Sequence, residues 1–206
     1  MFYDPKNGAG STNGGLRDAR TKNGGLAHNP FKAIVAPRPI GWISTRGPLG
    51  DNLAPYSFFN AVNDAPMQVM FAGSLKDSIF NLRESGVFAV NVVAESMINA
   101  MNASSEAVAR GVDEFALAGV EKAECKVIDC PRVAQAPATL ECRVAHLLEL
   151  GGGSWMAVGE VVGVHIREEY LRDGRFDLAL VRPVARLGYR DYAVVGAPFE
   201  LERPDD

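Results

Sequence analysis

Hydrophobic and polar residues alternate along much of the chain after Phe31, and this pattern predicts a protein built mainly of β-strands. Residues 40–45 alternate with a period of two, the spacing of side chains that point to opposite faces of a strand. A turn at residues 47–52 separates this strand from a second, predicted at residues 53–60. Residues 67–73 form the third predicted strand.

Three further strand-like stretches follow. Residues 87–93 are apolar apart from one asparagine, as expected for a central strand that is buried on both faces. In residues 139–150 and 155–166, side chains alternate with a period of two, as in a strand. The glycine-rich residues 151–154 between them are typical of a hairpin turn. The pattern therefore predicts two long antiparallel strands near the end of the chain.

Short helices are predicted between the strands. The first begins at Lys76-Asp77-Ser78 and ends before Gly86, which suits the left-handed position after a helix. A second is predicted at residues 95–104 with Ser96 as its N-cap, and one further helical turn at residues 113–117.

Many short strands with few helices predict a mainly β protein, an antiparallel barrel with peripheral short helices. Parallel winding is disfavoured because strands and helices alternate only around residues 67–104. We expect an N-terminal arm at residues 1–27 with a Gly/Asn-rich segment, one domain at residues 28–195, and a C-terminal tail at residues 196–206.

Two details of the last long strands carry further expectations. Gly159 and Gly163 fall on one strand face, which predicts the close approach of a backbone, a ring or a partner subunit. His146 lies on an apolar face and is predicted to be a core residue.

Composition removes several functional classes. The 206 residues carry 25 acidic and 21 basic side chains, so an electrostatic nucleic-acid binder is not expected. Apolar runs fall short of the ~20 residues that span a bilayer, and residues 1–5 lack the features of a signal peptide, so a cytoplasmic protein without membrane contact is expected. Three cysteines, an odd number, do not predict a disulfide framework.

Residues suited to a ligand with an anionic end concentrate in two segments. A phosphate requires charged or hydroxylated donors and free backbone N–H groups, and the helix start at residues 76–78 offers such groups. The candidate donors are Arg38, Ser44, Thr45, Lys76 and Ser78.

The other end of such a ligand would be flat and apolar. Aromatic side chains can form its walls, and a few polar groups can fix its edge. The candidate walls are Trp42, Tyr56, Phe58 and Phe59, and the candidate polar contacts are Ser57, Asn60 and the strand amides.

Other kinds of site are less well supported. The spacing of Cys125, Cys130, Cys142 and His146 matches no common structural zinc pattern, so no metal site is expected. Residues 151–154 lack the ending of a phosphate-binding P-loop, and neither a dinucleotide-binding glycine motif nor a nucleophile elbow is present.

Taken in order, the motifs at residues 38–45, 52–60 and 76–86 resemble those of the flavin reductase-like, FMN-binding split-barrel family, and the similarity covers roughly residues 28–195. The Gly/Asn-rich segment at residues 8–25 looks longer than the family's lead into its first motif. The resemblance implies a split β-barrel, usually a homodimer, that binds FMN, with FAD as an alternative. The flavin-binding residues that it implies together with the chemistry above are Arg38, Trp42, Ser44, Thr45, Asn52, Ala54, Tyr56, Ser57, Phe58, Phe59, Asn60, Lys76, Asp77 and Ser78. Tyr189, Tyr192 and His165 are further candidates from the C-terminal half.

The resemblance implies an FMN-dependent NAD(P)H:flavin oxidoreductase. NAD(P)H would act as a transient substrate that gives a hydride to the flavin, and electrons would pass on to an acceptor or a partner oxygenase. No catalytic proton donor is assigned. Two alternatives stay open: an FMN-binding electron carrier without NAD(P)H oxidation of its own, and a structural or regulatory barrel that has lost its cofactor.

Overall fold

The computed structural model describes Leu26 and residues 28–204. Most of the N-terminal arm predicted at residues 1–27 therefore lies outside the described residues. Within the described part of the chain, no helix is long and apolar enough to cross a membrane. The domain boundaries and the cytoplasmic location stay predictions.

Short strands dominate residues 28–204. The strands are β1 (Arg38–Pro39), β2 (Gly41–Gly47), β3 (Gly50–Tyr56), β4 (Phe59–Asp64), β5 (Met67–Ser74), β6 (Val87–Val92), β7 (Lys122–Glu124), β8 (Pro131–Val133), β9 (Ala138–Gly151), β10 (Ser154–Ile166), β11 (Leu171–Arg172), β12 (Arg175–Phe176), β13 (Val184–Arg186) and β14 (Tyr192–Val194). The helices are α1 (Phe31–Ile34), α2 (Asp77–Ser85), α3 (Ile98–Ala103), α4 (Glu114–Ala118) and α5 (Leu178–Val181).

A seven-stranded antiparallel sheet in the order β3-β2-β6-β9-β10-β5-β4 forms the body of the protein. Its two edge strands, β3 and β4, follow one another in sequence with only Ser57 and Phe58 between them. The sheet therefore curls until its edges approach, and the Ala72 amide donates to the Phe58 carbonyl at 2.8 Å beside this junction. The antiparallel barrel with short helices is confirmed, but the single strand expected at residues 53–60 is wrong because the chain breaks at this junction.

Strand β2 is covered on both faces, which determines where the core lies. Trp42 packs with Leu53, Met101 and Phe115 in a cluster outside the barrel, under α3 and α4. Ile43, on the opposite face, belongs to the cluster inside the barrel. Because both faces are buried, alternation along β2 separates two cores and does not separate core from solvent.

The helix predictions are confirmed in place but not in every detail. Helix α2 follows extended Lys76 and ends before Gly86, which has a φ of 69°. The helix expected at residues 95–104 is a 3₁₀ turn followed by α3, and the Ser96 side chain does not cap it, so that N-cap prediction is wrong.

The long hairpin of β9 and β10 is confirmed, with its turn at Gly151, Gly152 and Gly153, all at positive φ. Gly159 lies under a ring: a Cβ there would come within 2.4 Å of the Phe88 Cζ atom. Of the three expectations for this face, the structure supports the approach of a ring. His146 is exposed, so the prediction that it is a core residue is wrong. It lies in the part of β9 after Arg143, where the side chains are exposed or half-buried.

We expect Gly159→Ala to destabilise the protein by about 1–3 kcal/mol, because Phe88 is fully buried and the new methyl group overlaps its ring. The urea midpoint would measure this. Gly196→Ala is the control, since a Cβ at Gly196 meets nothing within 4 Å. Equal midpoints for the two variants would contradict the packing described.

Candidate active site

A cleft of about 390 Å³ opens where α2 begins. Strand β3, the end of β5 and the segment after α3 form its other walls. Its lining residues are Asn52, Ala54, Pro55, Tyr56, Gly73, Ser74, Leu75, Lys76, Asp77, Ser78, residues 104–110 and Glu114.

The start of α2 supplies the anion-binding character of the cleft. Lys76 is extended, and no side chain caps the first turn among the residues that the structure describes. The first amides of a helix lack partners within the helix and lie at the positive end of its dipole. In this nine-residue helix they face a cleft, as a bound phosphate requires.

Asp77 does not cap the helix because it holds the opposite wall. Its Oδ2 accepts from the Gly111 amide at 3.0 Å, and its Oδ1 lies 3.7 Å from Arg110 Nε. Arg110 also stacks over Phe80, with Cζ 5.5 Å from the ring centroid. Arg110 is thus a second cation in the wall of the cleft.

A buried polar network forms the floor. Glu114 Oε1 and Oε2 accept from Asn52 Nδ2 at 3.0 and 2.9 Å, and Oε2 also accepts from the Leu53 amide at 3.1 Å. Ser78 Oγ donates to Asn52 Oδ1 at 2.5 Å. The network therefore joins α4, β3 and the first turn of α2.

Two groups that line the cleft have shifted pKa values. Burial raises the pKa of Glu114, against the opposing effect of the Leu53 and Asn52 hydrogen bonds. Burial also raises the pKa of Tyr56 to about 12, so that its hydroxyl remains protonated at neutral pH.

Tyr56 can form the flat wall of the cleft because the strand beside it carries a glycine. A Cβ at Gly73 would come within 2.5 Å of the Tyr56 Cε1 atom. The same ring packs on Phe71, with the centroids 4.8 Å apart. Any larger residue at position 73 would displace the tyrosine.

A second cavity of about 290 Å³ adjoins the cleft and shares Pro55 and Ser105 with it. We call it the basic cavity, after its three cationic side chains. Its lining residues are Lys32, Arg38, Ile40, Pro55, Ser57, Met101, Ser105, Arg186, Leu187, Tyr189 and Tyr192.

The structure brings together eight of the predicted flavin-binding residues. The cleft contains Asn52, Ala54, Tyr56, Lys76, Asp77 and Ser78, and the basic cavity contains Arg38 and Ser57. Phe58, Phe59 and Asn60 line neither space. Phe58 stacks near Lys32 and Arg38, Phe59 lies against Gly41, and Asn60 is exposed.

The structure places Trp42, Ser44 and Thr45 outside the cleft and the basic cavity. All three are fully buried, so their side chains are not available to a ligand. Trp42 Nε1 donates to Ser104 Oγ at 2.9 Å. Ser44 Oγ donates to the Pro131 carbonyl at 2.7 Å, and Thr45 Oγ1 accepts from Asn81 at 3.3 Å. Their polar atoms are therefore used inside the fold, and the phosphate role predicted for the two hydroxyls is corrected to a structural one.

Sequence reasoning missed the segment at residues 104–110, Glu114, Gly73 and Arg186 as lining groups. The small and polar residues after α3, ending in Arg110, were the available signal. Of the C-terminal candidates, Tyr189 and Tyr192 line the basic cavity, whereas His165 lines neither space and contacts Glu141 Oε1 at 2.5 Å. Among the described residues, no cluster of His, Cys, Asp and Glu could hold a metal ion.

We expect the unfolding free energy of Glu114→Gln, relative to that of the wild type, to increase as the pH rises. The folded-state pKa of Glu114 is raised above its ordinary value of 4.5, so the native protein binds more protons than the unfolded chain between these two values, and wild-type stability falls as the pH increases through this window. Gln cannot ionise and escapes this loss. The difference in unfolding free energy between variant and wild type, measured by urea at pH 4 and pH 7.5, should therefore increase; a constant or decreasing difference would contradict the shift.

The chain is similar to proteins of known sequence and structure. A protein of Deinococcus radiodurans described as uncharacterized is 38% identical over 186 residues, which cover 83% of this chain and 82% of that protein. The structure of nitrilotriacetate monooxygenase component B from Bacillus cereus is similar with a TM-score of 0.79 and 29% identity, covering 85% of this chain and 98% of that one. Pseudomonas fluorescens 2-nitrobenzoate 2-nitroreductase NbaA has a TM-score of 0.78 and 29% identity, covering 84% and 88%.

The family model for the flavin reductase like domain matches residues 35–187. This range contains the whole cleft and the whole seven-stranded sheet. The resemblance inferred from the motifs and the split-barrel fold are thereby confirmed. The chain belongs to the flavin reductase-like domain family.

Proposed function

We propose that this protein is an FMN-dependent oxidoreductase that takes a hydride from NAD(P)H and passes electrons to an acceptor or a partner oxygenase. The observation that carries the proposal is the uncapped start of α2, with Lys76 and Arg110 beside it, at one end of a cleft whose other wall is Tyr56. One end suits a phosphate and the other suits a flat ring.

The residues present fit FMN in three respects. The first-turn amides of α2 and the two cations can hold a phosphate. The Tyr56 ring lying over Gly73 offers a flat wall. Strand β3 is an edge strand, so one row of its backbone groups is not used by the sheet. The Leu53 amide donates to Glu114, and other groups of this row can bind the polar edge of a flavin ring.

Bound FMN would supply the redox chemistry, accepting two electrons as a hydride from NAD(P)H. The residues of the chain bind and orient. The floor network fixes the distance from the α2 amides to β3, and the neutral Tyr56 hydroxyl adds no charge to the wall.

The two similar structures support the direction of electron flow. One is named as a component of a monooxygenase, and the other as a nitroreductase. A protein that delivers reducing equivalents to an oxygenase or to an organic acceptor is consistent with both names.

A homodimer is part of the proposal. Exposed apolar side chains occur on β4, β5, β9 and β10, which are neighbours in the sheet. They are Val62, Met67, Leu148, Leu150, Val164 and Ile166. A second copy would cover them. Gly159 does not contribute, because the Phe88 ring already covers it.

The phosphate position can be tested with two flavins. Replacing Lys76 and Arg110 by Ala should weaken FMN binding by about 1.5–3 kcal/mol, roughly tenfold or more, because hydrogen bonds to a charged group are lost. Riboflavin, which lacks the phosphate, should bind both proteins alike in a fluorescence titration. Lys126→Ala, an exposed lysine outside the cleft, is the control. An equal loss for FMN and riboflavin would mean that the phosphate lies elsewhere.

Hydride transfer is tested by anaerobic addition of NADH or NADPH to the FMN-loaded protein. The flavin absorbance near the visible maximum should bleach within seconds. Slow bleaching by both nucleotides, together with fast bleaching by a reduced protein donor, would replace the proposal with the electron-carrier alternative. A protein that binds no FMN at micromolar concentration would exclude both.

A further inference from the structure

The basic cavity concentrates positive charge. Lys32, Arg38 and Arg186 line it, and none of its other described lining residues is acidic. The full chain has 25 acidic and 21 basic residues, so acidic partners are not scarce. Arg46, for comparison, contacts the carboxylates of Asp51, Glu124 and Asp129 at 2.8–2.9 Å.

Arg38 is the most constrained of the three cations. It is only 6% exposed, and its guanidinium donates to the carbonyls of Lys32, Val35 and Leu187. Its buried Nε has no hydrogen-bond partner within the described part of the chain. Carbonyl dipoles do not neutralise a charge, and burying a cation without an anion is costly. The cavity therefore contains a built cationic group that is incompletely satisfied.

Arg186 increases this cost because it lies directly opposite Arg38 in the β1–β13 pair. Like charges at directly opposed strand positions destabilise a sheet. The Arg186 guanidinium is held in place by a hydrogen bond to the Tyr189 carbonyl at 2.5 Å and by the Tyr192 ring, 4.3 Å from its Cζ atom. An anion between the two arginines would turn a repulsive pair into a shared site.

The rest of the cavity wall is apolar and partly aromatic. Ile40, Met101 and Leu187 lie beside Tyr189 and Tyr192. At about 290 Å³, the cavity is at the small end of ligand sites, too small for a complete dinucleotide but adequate for one substituted ring. A small planar molecule with one carboxylate meets both the charge and the shape.

We propose that the basic cavity binds small aromatic carboxylic acids, with the carboxylate between Arg38 and Arg186 and the ring toward the shared residues Pro55 and Ser105. The assignment of the cavity as a substrate subsite beside the flavin rests on the proposed function. The assignment of the cavity as a binding site for these acids does not. The 29% identical 2-nitrobenzoate 2-nitroreductase is named after an acid of this chemical class.

The test is isothermal calorimetry on the FMN-loaded protein with benzoate and 2-nitrobenzoate as probes, and with benzamide as the uncharged isostere of benzoate. We expect the acids to bind at least tenfold more tightly than benzamide, and Arg186→Gln to remove this preference. Arg190→Gln is the matched control, since Arg190 is exposed on the same segment and does not line the cavity. Arg38 is left unchanged because its hydrogen bonds join the α1 segment to Leu187.

Three outcomes would overturn the proposal: equal affinity for benzoate and benzamide, an equal loss in Arg190→Gln and Arg186→Gln, or Arg186-dependent binding of adenosine 2′,5′-bisphosphate without binding of the acids. The last outcome would assign the cavity to a nucleotide phosphate. Repeating the titration without FMN separates the two hypotheses. Acid binding in a protein that binds no flavin would refute only the proposed function, whereas FMN binding and NAD(P)H bleaching without acid binding would refute only the cavity proposal.

Discussion

The carboxylate of Glu114 is the contact on which the geometry of the cleft depends. It comes from α4, accepts from both Asn52 and the Leu53 amide of β3, and through Asn52 is connected to Ser78 in α2. Three elements that are distant in sequence are thereby fixed around one buried group. Removing one partner would leave a buried polar atom without a hydrogen bond, which usually costs about 1–3 kcal/mol. The uncapped start of α2 faces β3 because this group holds it there.

The two spaces beside this floor differ in how their charges are balanced. In the cleft, Arg110 is close to Asp77, and a protein carboxylate compensates part of its charge. In the basic cavity, Arg38 and Arg186 occupy directly opposed strand positions, and no described lining residue carries a carboxylate. The net charge of −4 for the full chain does not favour general anion binding, so attraction of an anion must arise locally. The geometry thus provides two separate anion-binding positions, in two spaces that share Pro55 and Ser105.

Sequence reasoning predicted the elements whose signals are local. The start of α2 at residues 76–78 and its end at Gly86 were readable because caps and left-handed glycines act within one turn. Ser44 and Thr45 were assigned to the phosphate because a hydroxyl in an apolar strand needs a partner, and this requirement is met equally well by a ligand or by the fold. Here the Pro131 carbonyl and Asn81 meet it. Whether a ligand or the fold supplies the partner depends on contacts between residues far apart in sequence. The alternation of residues along one strand gives no information about such contacts.

The same limit explains why Arg186 was missed while Arg38 was found. Arg38 lies in a dense motif next to other candidate groups, whereas Arg186 stands alone in a short strand near the end of the chain. Only the pairing of β1 with β13 puts the two arginine residues opposite each other. A repulsive pair of this kind persists when other interactions compensate for it, and here the Tyr192 ring and three backbone carbonyls do so in part. The remaining imbalance is a property of the assembled fold, and it gives the cavity its preference for an anion over a neutral ring of the same shape.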